Sequence, residues 1–239
     1  VTPLAAVLAA TVAALGAIVQ GSVGFGLGML GAPILLLIDP RLVPGPLLVT
    51  AGVLITLLTR REWRDIRFGD LAWSVPGRIV GTAAAVVFLG VIPPDRIEVA
   101  LGIMVLLAVG VSASGIAVPL TPRTFLGAGA LSGFFGTATA IGGPPIALLY
   151  QRERGPVVRG TLSAFFVFGV VISLTGLALA GRFGEAQIRL SLVLIPGVLV
   201  GYALSTRLSR LLDRGWTRPA ILVASSVAGA IVVVRHLLR

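Results

Sequence analysis

The chain has no cysteine, no lysine, and a single histidine, His236, at its extreme C-terminus. Without cysteine there are no disulfides, thiolate metal sites or cysteine nucleophiles. Charge is also scarce: charged residues make up 12% of 239 and apolar residues 56%, against about a quarter charged in soluble domains. The nine acids (Asp39, Glu62, Asp65, Asp70, Asp95, Glu98, Glu153, Glu185 and Asp213) all stand in or beside short hydrophilic linkers. No apolar stretch therefore offers a carboxylate as a proton relay, sodium ligand or aspartyl nucleophile. Nor does any hold a histidine, so Ser132 has no base to activate it and a metalloprotease has no ligands. No enzyme, metal or cofactor is expected.

What remains is apolar. Eight blocks stand out: Leu4–Ile38, Leu47–Thr59, Leu71–Ile92, Ile97–Val118, Phe125–Tyr150, Thr161–Ala180, Leu190–Ser205 and Pro219–Val234. A bilayer core of roughly 30 Å needs about 20 apolar residues in a helix, so blocks of this size imply an all-α polytopic membrane protein. The alternating ten-residue segments of a transmembrane β-barrel are absent. Leu4–Ile38 lacks a basic leader and is far too long for a signal peptide, so it too reads as a membrane segment. The chain opens at Val1 rather than Met, so a few leading residues are expected ahead of it. All 19 basic residues are arginines, mostly at the ends of apolar blocks and without interleaved aromatics. They read as interfacial anchors and topology signals facing lipid headgroups, not as a nucleic-acid surface.

The first and fifth blocks are unusual. Leu4–Ile38 has 35 residues, about twice one short span, and both blocks carry glycines before a proline corner. Aligning Pro33 with Pro145, 112 residues on, also matches Gly21 with Gly133, Gly24 with Gly136 and Gly31 with Gly143. The segments read GSVGFGLGMLGAPILLL and GFFGTATAIGGPPIALL, and the same offset pairs Gln20 with Ser132. A second match, 120 residues apart, sets Val75-Pro76-Gly77 beside Ile195-Pro196-Gly197. These matches imply two homologous repeats of four apolar segments, 1–118 and 119–239, together forming one transmembrane domain.

If every block crosses once, nine linker arginines fall on each side and the positive-inside rule gives no orientation. If the first and fifth blocks instead break at their glycines and double back, the split becomes twelve to six, with both termini on the poorer side. That leaves three full crossings per half, an odd number, so the halves would be inverted. Two near-full helices in each broken block give the same parity.

Inverted repeats with broken helices place a substrate near the midplane, where glycine backbone and freed N–H groups face an anion. The expected site combines Gln20, Gly21, Ser22, Gly24, Gly26, Gly31 and Pro33 with Ser132, Gly133, Gly136, Thr137, Thr139, Gly142, Gly143, Pro144 and Pro145. Gly28 fits the first break in the same way. Arg78, seven residues inside its block, is the one charge set well within an apolar stretch. It reads either as a site residue or as an arginine reaching back to the interface. Small residues at helical spacing also serve plain helix packing.

With Gly21-Ser22-Val23-Gly24-Phe25-Gly26, Pro33 and Gly142-Gly143-Pro144-Pro145 in duplicated halves, the whole chain resembles the sulfite exporter family TauE/SafE, also called the 4-toluene sulfonate uptake permease family. The resemblance implies a secondary transporter moving sulfite, sulfoacetate or another organosulfonate across the bacterial inner membrane, with seven or eight spans. A passive anion channel using the same site is the alternative. The expected partners are the small anion and membrane lipid, with a homo-oligomer left open.

Overall fold

A computed structural model describes residues 1–93, 96–116, 118–212 and 217–237 of the chain. The linker Asp213-Arg214-Gly215-Trp216, with Pro94, Asp95, Ala117 and Arg239, lies outside the described residues, and so does the placement of their charges. Among the described residues the chain is helical: α1 Pro3–Val23, α2 Leu27–Ile38, α3 Gly45–Arg61, α4 Phe68–Val91 and α5 Ile97–Ala113. Then follow α6 Pro122–Thr139, α7 Gly143–Ala147, α8 Gly155–Leu179, α9 Glu185–Leu212 and α10 Thr217–Leu237. Four stretches, in α1, α4, α8 and α9, are long and apolar enough to cross a bilayer unaided, and the chain is a multi-pass membrane protein.

The first and fifth apolar blocks are each broken into two helices. α1 stops at Gly24, whose left-handed φ of 99° suits glycine, and its N–H closes back on the Gln20 carbonyl. Gly26, at φ 149°, then turns the chain into α2. α6 begins with a Thr121/Thr124 capping box and stops at Ala140, left-handed at φ 62°. α7 follows two residues later. These caps lie 116 residues apart (24 to 140), four more than the proline register of 112. Pro33 is the seventh residue of α2 and Pro145 the third of α7, so the two prolines stand at different distances from these caps. Gln20 and Gly136 each stand four residues before their cap, and Ser132 stands one helical turn before Gly136.

Small residues set the tightest crossings. α4 packs on α6, and α1 on α9. A Cβ on Gly77 or Gly81 would overlap the carbonyls of Leu126 and Ala130, and one on Gly129 or Gly133 those of Ser74 and Arg78. The two Gly-xxx-Gly pairs therefore interlock backbone to backbone. Gly197 and Gly201 meet the Ala10 and Ala14 carbonyls in the same manner. Larger side chains such as Leu35, Leu54, Leu58 and Phe165 fill the remaining core.

The linkers gather at two ends. Arg67 pairs with Glu153 at 2.6 Å and Arg159 with Glu62 at 3.0 Å, joining the chain after α3 to the chain around the start of α8. At the other end Arg41, Ile97, Arg182 and Arg189 border a cavity of about 700 Å³. One crossing per block would put Arg67 and Arg159 at opposite ends. The observed pairs instead place Arg67 and Arg159 at one end.

Candidate functional site

The two breaks meet. A Cβ on Gly28 would strike the Ala140 carbonyl, and one on Gly143 would come 2.8 Å from the Phe25 Cβ. Beside this junction lies a small cavity of about 40 Å³. Gln20, Phe25, Gly26, Gly28 and Met29 line it from the first break, and Gly136, Ala140, Ile141, Gly142, Gly143 and Pro144 from the second. Arg78 of α4, Leu48, Ala51 and Ile55 of α3, and Phe166 and Val170 of α8 complete its wall. A volume of this order holds a few water-sized groups.

Arg78 is 2% exposed, so it does not reach back to the interface. The interlocked glycines explain its position: with its own carbonyl against Gly133, its side chain runs along α6 to the second break. There the guanidinium occupies a slot that any side chain would fill. A Cβ on Gly136 would lie 2.8 Å from Nη2, one on Gly142 2.8 Å from Nη1, and one on Gly169 of α8 2.6 Å from Cζ. The Phe165 ring stands 5.4 Å from Cζ, a cation–π contact.

The partners of Arg78 are hydroxyls. Nη1 donates to Ser132 Oγ at 2.9 Å, and Ser132 Oγ donates to the Gly142 carbonyl at 2.5 Å. Nη2 donates to Ser173 Oγ at 3.3 Å. Ser173 continues through Thr137 at 2.7 Å to Thr82 at 3.0 Å. Nε is buried without a partner. No salt bridge to Arg78 occurs among the described residues. Two of the five N–H donors thus have neutral acceptors, and the charge has no counter-ion.

Gln20, 5% exposed, serves the first break. Its Oε1 accepts from the Leu27 N–H at 3.0 Å, satisfying an end donor of α2. That bond fixes the amide, so Nε2, with its two donors, is what remains for the cavity. Thr139 has the matching role at the second break: its hydroxyl accepts from Ile141 N at 3.3 Å and donates to the Phe135 carbonyl. The cavity and its immediate supports therefore offer hydrogen-bond donors and positive charge, in surroundings without a carboxylate.

Of the residues expected from sequence, Gln20, Gly26, Gly28, Arg78, Gly136, Gly142, Gly143 and Pro144 reach the cavity. Ser132 and Thr137 stand one hydrogen bond or two behind, on Arg78. Gly21, Ser22, Gly24, Gly31, Pro33, Gly133, Thr139 and Pro145 are not on its wall. Gly21 and Ser22 sit at the end of α1, where Arg61 Nη2 donates to the Gly21 carbonyl at 2.6 Å and Arg159 Nη1 to that of Ser22 at 3.3 Å. Cations there complement the negative end of the helix. Gly24 packs on Arg159, and Gly133 on Arg78 backbone. Gly31 and Pro33 are buried within α2, and Pro145 within α7.

Sequence reasoning missed Phe25, Met29, Ala140, Ile141, Phe166, Val170, Ser173 and Gly169. Phe25 lay between two selected glycines, and Ser173 was a polar residue in the middle of a block. The others carried no signal, because apolar residues in a membrane helix look alike whichever way they face.

A family model described as Sulfite exporter TauE/SafE matches residues 8–232. No curated protein and no solved structure matches the chain.

Proposed function

Since the chain belongs to the TauE/SafE sulfite exporter family, a family of membrane transporters, we propose that it is a secondary transporter of a small sulfur-containing anion, held between the two helix breaks beside Arg78. The observation that carries this reading is the buried guanidinium at the cavity, with hydroxyl partners and no counter-ion. A buried charge without a partner is costly, and its retention argues for a ligand that neutralises it. Glycine at 136, 142 and 169 keeps the slot open for that side chain.

The same proposal includes two inverted repeats, 1–118 and 119–239, in the bacterial inner membrane. The caps at Gly24 and Ala140 support the duplication, as do the crossings of Gly77 on Leu126 and Gly197 on Ala10, again 116 residues apart in the first helices (10 to 126). The arginine-rich end holding Arg61, Arg67 and Arg159 faces the cytoplasm on this reading.

Purified protein in liposomes should move labelled sulfite or a small organosulfonate saturably. Arg78→Gln should lower that flux at least tenfold. Equal flux from Arg78→Gln and the unaltered protein would refute the assignment of the site.

A further inference from the structure

Resting on that reading, we infer that the species carried is a small monoanion, so that the loaded site is neutral and one elementary charge moves per anion; for sulfite this means hydrogen sulfite. Among the described residues Arg78 is the one ionisable group lining the cavity. α1, α2 and α7 contain no charged residue. α3 carries Arg60 and Arg61 in its last turn, and α6 carries Arg123 near its start. On α4 the nearest charge is Asp70, two turns from Arg78, where it accepts a hydrogen bond from Tyr150. On α8 it is Arg159, seven residues from Phe166 on the cavity wall, about 10 Å at 1.5 Å per residue, and it shares the Glu62 carboxylate with Arg61.

One unit of positive charge is therefore available to a bound anion. The polar groups around it do not change that. Ser132, Ser173, Thr137 and Thr82 are neutral, and the Oε1 of Gln20 is occupied, leaving its amide donors. A monoanion ends the isolation of the guanidinium. A dianion would bring a second charge into a small cavity with no second cation on its wall to balance it, the unfavourable case for a buried ion. The volume of about 40 Å³ points the same way, toward an oxyanion of a few heavy atoms. Sulfite ionises for the second time near neutral pH, so its monoanion is available, whereas sulfate offers only a dianion of similar size.

The test uses the full chain in liposomes at equal pH on both sides, with a potassium diffusion potential imposed by valinomycin and labelled sulfite as the probe. The equilibrium accumulation ratio of total sulfite should change tenfold for about 59 mV, the constant for a single charge. Methanesulfonate, a small obligate monoanion, should give the same slope. Sulfate should be taken up at least tenfold more slowly than sulfite. A hundredfold change over the same potential, no dependence on potential, or sulfate moving as fast as sulfite would overturn the monoanion inference and leave the transporter reading standing. Absence of flux for every sulfur anion would overturn both.

Discussion

Arg78 Nη1 donates to Ser132 Oγ at 2.9 Å, and the same hydroxyl donates to the carbonyl of Gly142. One serine thus joins a cation on α4 to the backbone break between α6 and α7. Whatever moves the guanidinium also moves an acceptor bond of the break. An anion bound at Arg78, as proposed, would therefore act through Ser132 on the segment that borders the cavity.

Ser132→Ala should strand both the Nη1–H and the Gly142 carbonyl. The cost of burying unsatisfied groups sets the expected destabilisation at about 2–4 kcal/mol. In a double-mutant cycle with Arg78→Met, measured by denaturation in detergent, the two effects should be strongly non-additive. Additive values would mean that the contact carries no energy.

Arg78→Met should separate stability from activity. Removing a buried, unpaired charge relieves a penalty of about 1–3 kcal/mol, so the melting temperature should rise. Anion flux should fall at least tenfold. Arg78→Lys should also transport poorly, because a compact ammonium cannot reach Ser132 and Ser173 together.

Gln20 offers a cleaner contrast. Gln20→Ala leaves the Leu27 N–H without its acceptor and should cost about 1–3 kcal/mol. Gln20→Glu keeps an acceptor for Leu27 but replaces the amide donors with a negative charge. It should fold, yet lose anion affinity at least tenfold by equilibrium binding of sulfite. Retained affinity in Gln20→Glu would remove Gln20 from the site.

The glycines should sort by what they face. Gly81→Ala and Gly133→Ala force a Cβ into the backbone of the opposing helix and should each cost about 1–3 kcal/mol or more. Gly169→Ala meets the guanidinium instead, and should impair transport more than stability. Gly127→Ala, with open space around it inside α6, should leave transport unchanged and raise stability by up to about 1 kcal/mol.

Because the chain has no cysteine, single-cysteine labelling needs no background removal. Arg41→Cys and Arg152→Cys should react with an impermeant maleimide from opposite sides of the membrane. Labelling of both from one side would contradict the doubled-back first and fifth segments.

Much of the architecture was legible because the bilayer imposes it. Spans need length and apolarity, and glycine eases a break, so Leu4–Ile38 declared itself too long for one short span and too glycine-rich for an unbroken helix. Arg78 was equally visible, since a charge inside an apolar block is rare. The register of the two breaks was not. Prolines mark where a helix tolerates a missing N–H, and Pro33 and Pro145 stand at different distances from their caps, so alignment on them slips by one turn.

Sequence alone pointed to an all-helical membrane protein with two glycine-rich segments expected to break and one arginine set inside an apolar block. It did so because burial in lipid acts on each segment separately and leaves its mark in composition. Tertiary structure decided which of those glycines border the cavity, and which only let α4 lie against α6 or α1 against α9. It also decided that Arg78 faces Ser132 and Ser173 in the interior and does not reach the interface. Both outcomes depend on which helix is opposite, and a helix's own residues do not encode its neighbour.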